Sequence, residues 1–479
     1  MNNKNLNDIY NKIQILVEKI DSFYDKLEYL DIMREDADEI HSIKECILEN
    51  KGDLFDSIEN IKKELAYNNC RIDILINSLK NNALSYDKNN LLKNNSYNID
   101  KLIDDKEYDK ALIILNTIIE LYPTYADAYF YRCRIKNILN QYSEAINDIN
   151  TAIKLNSNNA DFYNNRGDAK TGLKLYKEAI EDYDKAIELN PNDYNIYNNR
   201  GDAKAGLKLY KEAIEDYDKA IELNPNNYII YNNRGYTKED LKLYKDAIED
   251  YDKAIELNPN DYNIYNNRGD AKARVQLYKE AIEDYNKSIE LNKNDYYVYN
   301  NRGYVKTRFQ LYEEAIEDYD KAIELNPNDY SIYNNRGFAK ARVQLYKEAT
   351  KDYDKAIELN PNDYSIYNNR GFAKARVQLY KEAIKDYDKA IELNPNDYSI
   401  YNNRGFAKAR VQLYKEAIKD YDIAIELNPN NSNLYADRGY VKTRLRLYKE
   451  AIEDCNIAIK LNPNNNKARN NMKYAMMRI

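Results

Sequence analysis

The sequence from Tyr194 to Asn227, YNIYNNRGDAKAGLKLYKEAIEDYDKAIELNPNN, is one copy of a unit that returns every 34 residues along most of the chain. Glycine marks the period at Gly167, Gly201, Gly235, Gly269, Gly303, Gly337, Gly371, Gly405 and Gly439. These are nine of the 12 glycines in the chain, and all nine prolines fall on one other position of the unit. A period of this size indicates stacked repeats that together bury a continuous core.

Each repeat contains two amphipathic helical halves. With the recurring glycine as position 8, the first half carries Tyr at 4, Gly at 8 and Ala at 10, and the second carries Ala at 20, Ile at 21, Tyr at 24 and Ala at 27. Spacings of three and four place each set on one helical face. We expect Gly at 8 to face Ala at 20, because a glycine inside a helix otherwise costs about 0.5–1 kcal/mol relative to alanine. The Leu-Asn-Pro-Asn sequence ends the second helix, since the residue before proline disfavours the α conformation.

These residues resemble the pattern of the tetratricopeptide repeat (TPR) family, which has a large aromatic at 4, Gly at 8, Ala at 20 and 27, an aromatic at 24 and Pro at 32. The resemblance implies an all-α fold, a TPR α-solenoid in which helix-turn-helix repeats form a right-handed superhelix. Two positions depart from the family's commonest pattern: Arg stands at 7 instead of Leu, and Lys stands at 11 instead of Tyr.

Composition limits the remaining function classes. The chain has 479 residues, a net charge of -8, one histidine and four cysteines. The cysteines lack metal-ligand spacing, and no glycine-rich phosphate loop or acid-base cluster occurs, so we expect no enzyme activity, no cofactor and no metal. The start of the chain lacks an apolar signal core, and no apolar run is long enough to span a membrane, so we expect a soluble cytoplasmic protein with reduced thiols.

The chain divides into five predicted segments. Residues 1–85 carry two apolar heptad seams, from Ile9 to Leu30 and from Leu54 to Leu79, which predict a coiled-coil helical hairpin, with self-association through the coiled coil as the alternative. Residues 86–97 form an Asn-rich connector, and 92–125 form a degenerate first repeat. Ten repeats then run from 126 to 465, and 466–479 forms a capping helix with Ala468, Met472, Ala475 and Met476 on one stripe.

Positions 2, 5, 6, 9, 12 and 13 of the first helix are left exposed once the packing positions are assigned. In the TPR family this stripe lines the concave groove. Position 6 is asparagine in most repeats, and this resembles the asparagine ladder of peptide-binding members of the family, because an amide can both donate to and accept from a peptide backbone. Local capping or solvation is the alternative. The predicted ladder residues are Asn199, Asn233, Asn267, Asn301, Asn335, Asn369 and Asn403, after Asn165.

Positions 9 and 13 change character along the array. Position 9 is mostly Asp in the early repeats and aromatic later, at Tyr304, Phe338, Phe372 and Phe406. Position 13 changes from Gly172 and Gly206 to Arg308, Arg342, Arg376 and Arg410. The later groove is therefore predicted to be aromatic and basic. Recent duplication of residues 330–431 is an alternative source of the shared residues.

Arg at 7 accompanies Asp at 23 in all ten repeats. Two interpretations are open: a ladder of anion-binding arginines, or an ion pair between helices, which the packing-face position favours.

The sequence thus predicts a protein-interaction scaffold whose groove binds an extended segment of another protein. Single-stranded RNA binding is the alternative, because Arg, aromatic and Asn side chains also suit bases, although the acidic net charge argues against it.

Overall fold

The computed structural model describes residues 99–478, all of whose regular structure is helical, as 23 helices. The predicted coiled coil and its self-association, the connector at 86–97, His41, Cys46 and Cys70 lie outside the described residues. The chain divides into two compact units with the boundary between Pro225 and Asn226. None of the helices in the described range combines the length and apolar character that crossing a membrane requires.

Each of the ten repeats forms two helices joined by a short turn. The first helices have 13 residues and span Ala126–Ile138, Ala160–Gly172, Tyr194–Gly206, Tyr228–Asp240, Tyr262–Arg274, Tyr296–Arg308, Tyr330–Arg342, Tyr364–Arg376, Tyr398–Arg410 and Ser432–Arg444. The second helices have 14 residues and span Tyr142–Leu155, Tyr176–Leu189, Tyr210–Leu223, Tyr244–Leu257, Tyr278–Leu291, Tyr312–Leu325, Tyr346–Leu359, Tyr380–Leu393, Tyr414–Leu427 and Tyr448–Leu461. Helices Ile99–Asp104 and Tyr108–Leu121 precede them, and Asn466–Met476 follows.

The turns of the repeat follow from capping chemistry. Asp or Asn at position 34 caps the next first helix, as where the Asp363 carboxylate accepts from the Ser365 amide at 2.9 Å. The first helix ends in a Schellman motif, in which the Leu379 amide donates to the Lys374 carbonyl at 2.9 Å and Gln378 adopts a left-handed φ of 66°. The next residue, Leu379, is exposed at the turn.

Glycine at position 8 faces tyrosine at 24 rather than alanine at 20, which corrects the sequence expectation. A Cβ on Gly337 would lie 2.8 Å from Cε1 of Tyr353. The ring therefore lies directly on the glycine, and its size sets how closely the two helices approach. Only the last repeat, where Cys455 replaces the tyrosine, brings the backbone of Ala451 at position 20 among the nearest atoms to its glycine.

The last helix covers the end of the final repeat. Ala468 and Ala475 are fully buried, and Ala468 packs with Ala436, Cys455 and Ala458. Met476, which the stripe predicted to be buried, is 55% exposed.

Candidate functional site: the surface of the first helices

Arginine at position 7 is part of an ion cluster between the two helices of its own repeat. Arg336 donates through Nη2 and Nε to the two carboxylate oxygens of Asp352, at 2.6 and 3.0 Å, and Lys340 at position 11 lies 2.9 Å from the same carboxylate. Asp352 is only 4% exposed. A buried carboxylate needs such partners. The ion-pair interpretation of the arginines is therefore confirmed, and it explains both departures from the family pattern, since one aspartate binds Arg at 7 and Lys at 11.

The same arginines also join consecutive repeats. Arg336 Nη1 donates to Asp320 of the preceding repeat at 2.6 Å, and its guanidinium carbon lies 5.7 Å from the centre of the Tyr333 ring. Because these contacts occupy all three guanidinium nitrogens, position 7 offers little to a ligand.

The asparagines at position 6 form a ladder along the array, but their side chains hydrogen-bond to asparagines of the preceding repeat. The Asn369 amide donates to Oδ1 of Asn334, at position 5 of the preceding repeat, at 3.1 Å. The same bond is made by Asn199, Asn267, Asn301, Asn335 and Asn403. Asn199 and Asn301 donate in addition to Asp168 and Asp270 of the preceding repeat. The bonding between repeats was not expected from the sequence, which placed these amides on a free groove surface.

The ladder stops at the C-terminal end of the array. Asn402 has a buried Oδ1 without a hydrogen-bond partner in the described part of the chain, because position 6 of the next repeat is Asp437, which cannot donate when ionised. Asp437 instead pairs with Lys467 of the last helix. Burial raises the pKa of Asp437, and the Lys467 charge opposes that shift.

The arginines at position 13 rest on tyrosines that the sequence interpretation missed. Arg376 Nε donates to the Tyr346 hydroxyl at 3.1 Å, and its guanidinium lies 5.5 Å from the centre of that ring. Tyr346 occupies position 17 of the preceding repeat. Arg342 and Arg410 make the same contacts with Tyr312 and Tyr380, and a hydrogen bond to Tyr278 raises the pKa of Arg308. The recurrence of tyrosine at position 17 from repeat to repeat was the sequence signal that could have indicated this contact.

In two early repeats, position 13 is glycine and its backbone lies against the tyrosine ring at position 17 of the preceding repeat. A larger residue at position 13 would clash with that ring. A Cβ on Gly206 would lie 2.7 Å from the Tyr176 ring. The change from Gly to Arg thus exchanges a close ring-to-backbone contact for a guanidinium lying against the ring.

Two cavities open on the first-helix surface of the second compact unit. The larger, of about 520 Å³, lies between repeats 330–363 and 364–397 and is called the arginine cavity below. It is lined by Phe338, Ala341, Arg342, Gln344, Tyr346, Tyr353, Asn368, Asn369, Phe372, Arg376 and Asn403. Its lining holds two positive charges and no carboxylate. Ala341 at position 12 is 9% exposed, which corrects the expectation that this position is free.

The second cavity, of about 470 Å³, contains both signs of charge. Glu239, Asp270, Arg274 and Arg308 line it together with Tyr304 and Asn301. Burial raises the pKa of Glu239 to about 7 and that of Asp270 to about 6, while hydrogen bonds from Tyr251 and Tyr285 oppose the shifts. Because two carboxyl groups line it beside two arginines, it differs in character from the arginine cavity.

The predicted groove residues fall into three groups: some line the arginine cavity, some line the second cavity, and the rest line neither. Six of them line the arginine cavity, namely Phe338, Arg342, Asn369, Phe372, Arg376 and Asn403. Asn301, Tyr304 and Arg308 line the second cavity. Asn199, Asn233, Asn267, Asn335, Phe406 and Arg410 line neither of the two. Within residues 99–478, no three potential ligands are grouped to hold a metal ion.

Comparison with known proteins identifies the repeat. The family described as tetratricopeptide repeat matches residues 160–193, 194–227, 228–261, 250–283 and 402–466, and the family described as TPR repeat matches 134–172, 311–344, 345–378 and 379–412. Together these matches span more than half of the chain. No curated protein matched the sequence.

Solved structures match this chain as well. The crystal structure of MamA is 30% identical, covering 35% of this chain and 92% of MamA, with a TM-score of 0.34. YrrB, described as a TPR protein with an unusual peptide-binding site, is 25% identical over 40% of this chain and 99% of its own, with a TM-score of 0.36. The Cut9-Hcn1 hetero-tetramer of the APC/C is 13% identical over 79% of this chain and 95% of the matched chain, with a TM-score of 0.43. With its repeat profile and all-helical hairpins, the chain belongs to the tetratricopeptide-repeat family, whose fold serves as a protein-interaction scaffold.

Proposed function

We propose that the first-helix surface of repeats 296–431 binds an extended, acidic and aromatic segment of a partner protein. The arginine cavity is the observation that carries the proposal. It brings exposed Phe338 and Phe372 together with two arginines and three asparagines, and no carboxylate lines it. Apolar walls with a few converging polar groups are typical of binding sites.

The charge of this cavity contrasts with that of the whole chain. The protein carries a net charge of -8, whereas the only charged residues that line the arginine cavity are Arg342 and Arg376. An acidic segment would be attracted to these two arginines, because no carboxylate of the lining neutralises them. Complementary charge of this kind contributes to the specificity of docking.

Charge reversal tests the proposal. In the triple variant Arg342→Glu, Arg376→Glu and Arg410→Glu, we expect binding of a labelled synthetic peptide of alternating Asp and Phe to be lost in fluorescence anisotropy. The matched control changes Lys321, Lys355 and Lys389 to Glu. These lysines lie on the second helices, where each pairs with a glutamate three residues later. The control makes the same change in net charge on another surface.

Two results would contradict the proposal. One is an equal loss of peptide binding in the lysine control, since the effect would then be general electrostatics. The other is tight binding of single-stranded RNA with no peptide binding. RNA binding would weaken with salt at about -0.7 per phosphate contact in log-log terms.

The proposal describes a binding protein without catalytic activity. A reducing compartment such as the cytoplasm suits it, because Cys133 and Cys455 are free buried thiols. Burial raises the pKa of the Cys133 thiol to about 12, which leaves it in the unreactive protonated form.

A further inference from the structure

The tyrosine hydroxyl at position 24 is held by a carboxylate of the protein itself in four early repeats. Tyr183 donates to Asp168 at 2.8 Å and Tyr285 donates to Asp270 at 2.6 Å. Tyr217 and Tyr251 make the corresponding bonds to Asp202 and Glu239, at 2.7 and 2.6 Å. The tyrosines lie on the recurring glycine, so their rings are fixed and their hydroxyls reach the first-helix surface.

A second donor holds the same carboxylate in two of these repeats. Asn199 donates to Asp168 at 3.0 Å, and Asn301 donates to Asp270 at 3.2 Å. Each of these asparagines occupies position 6 of the following repeat. The tyrosine hydroxyl and the next asparagine therefore form a two-donor carboxylate holder.

In the later repeats the holder is present but the carboxylate is missing. Phe338 and Phe372 stand where the aspartate would be, and Ala341 and Ala375 stand where Glu239 is in its repeat. Tyr353 and Tyr387 are each 1% exposed, yet their hydroxyls have no hydrogen-bond partner among residues 99–478. Neither hydroxyl oxygen is among the fully enclosed polar atoms that lack a partner, so each is open to the space beside it and can donate to a ligand there.

Tyr353 lines the arginine cavity together with Asn369, the asparagine that completes its holder. Arg376 and Tyr346 line the same space. Because Tyr346 accepts a hydrogen bond from Arg376, its own proton is free to be donated. The cavity thus combines an empty two-donor holder with a guanidinium and a second hydroxyl.

We propose that this cavity binds a carboxylate side chain of the partner segment, which accepts hydrogen bonds from the Tyr353 hydroxyl and the Asn369 amide. The inference rests on the proposed function and names the chemistry of its ligand. The bound carboxylate takes the place that Asp168 or Asp270 occupies in an early repeat. Tyr387 and Asn403 are the equivalent pair one repeat later.

Both arginines strengthen the preference for a charged ligand. Hydrogen bonds from a hydroxyl or amide to an ionised acceptor are about twice as strong as those between neutral groups. A neutral amide side chain would fit the same space but would lack the attraction of Arg342 and Arg376. We therefore expect Asp or Glu to be preferred over Asn or Gln.

The series ends with the repeat at 398–431. Tyr421 also has Phe406 and Ala409 in place of an internal carboxylate, but the next repeat supplies Asp437 at position 6 instead of asparagine. Burial, with the negative charge of Asp437, raises the pKa of Tyr421. A ligand carboxylate would be repelled here, so the array contains two such subsites in a row.

Removing only the two hydroxyls tests the inference. In the double variant Tyr353→Phe and Tyr387→Phe, we expect the Kd of the Asp-Phe peptide to rise about tenfold per hydroxyl, and the Kd of an isosteric Asn-Phe peptide to change little. Tyr319→Phe is the control, because the Tyr319 hydroxyl already pairs with Thr307 at 3.2 Å. That variant should bind both peptides like the unaltered protein.

The complementary variant restores the missing carboxylate. Phe338→Asp places an internal acceptor beside Tyr353, as in the early repeats, and should exclude the Asp-Phe peptide. If Tyr353→Phe with Tyr387→Phe leaves Asp-Phe binding unchanged, the carboxylate holder is wrong although the proposed function stands. If the unaltered protein binds neither peptide, both proposals fail.

Discussion

At the scale of the residue, one aspartate per repeat organises the charges between the two helices. Asp352 binds Arg336 and Lys340, and Arg336 continues to Asp320 of the preceding repeat. The aspartate is buried while both cations are partly exposed, so the consequences of removing each partner are unequal. Loss of the cations leaves a buried charge with fewer partners, and loss of the aspartate leaves two cations that can still reach water.

We therefore expect Arg336→Leu to be more destabilising than Lys340→Met, at about 3 kcal/mol for the arginine. Lys340 still pairs with Asp352 in the arginine variant, which keeps the loss near the lower end for a broken buried pair. Adding Asp352→Asn to Arg336→Leu should recover much of the stability, as measured by urea denaturation followed by circular dichroism. Additive effects of the two changes in this double-mutant cycle would show that the pair is not coupled.

Glu239 predicts a pH dependence whose sign follows from its environment. Burial raises its pKa from 4.5 to about 7, so between these values the folded state retains a proton that the unfolded state has released. The contribution of this group to stability is therefore greatest below the lower value and is lost as the pH rises through the upper one.

We expect Glu239→Gln to raise the melting temperature at about pH 8 more than at about pH 5.5, because the variant lacks the buried charge. Glu249→Gln is the control for loss of a glutamate at an exposed second-helix position. An equal shift at both pH values in the Glu239 variant would contradict the assignment.

At the scale of the element, the glycine at 8 and the tyrosine at 24 determine how the two helices of a repeat pack. The ring of Tyr353 contacts the position where a Cβ of Gly337 would be, at 2.8 Å from Cε1. In the last repeat Cys455 replaces the ring, and the nearest atom to a Cβ on Gly439 is its Sγ at 3.2 Å. The chain thus contains both a crowded and a relaxed version of the same helix pair.

This difference predicts opposite outcomes for one substitution. Gly337→Ala should destabilise by about 1–3 kcal/mol, since a buried ring must move, and this exceeds the gain in helix propensity of about 0.5–1 kcal/mol. Gly439→Ala should be close to neutral or slightly stabilising. Comparison of the two urea midpoints checks this, and equal destabilisation would mean that the ring is not the limiting contact.

At the scale of the whole molecule, the array consists of local interfaces of one repeating kind. Repeats in the middle of the array pair Arg at 7 with residue 25 of the preceding repeat and donate from Asn at 6 to Asn at 5, as Arg370 and Asn369 do. Stability is then approximately a sum of repeat and neighbour terms, and unfolding need not be two-state.

Deleting residues 364–397 should leave a folded protein. The deletion brings Arg404 next to Asp354 and Asn403 next to Asn334, which are the residue types that these side chains already contact. We expect unchanged helicity per residue by circular dichroism and a single species in gel filtration. Aggregation or a general loss of helicity would count against the repeat interfaces described above.

The sequence by itself determined the number and spacing of the helices in the repeats and the ends of each hairpin. Local chemistry is sufficient for these features, because helical periodicity, Asx capping and proline act within a few residues. Only the tertiary structure decided that Gly337 faces Tyr353, that Asn369 donates to Asn334 and that Arg376 rests on Tyr346. These contacts depend on the angle and distance between helices that are 16 to 35 residues apart. The empty carboxylate holder at Tyr353 is of the same kind, since a hydroxyl without a partner is recognisable only when every neighbouring side chain is in place.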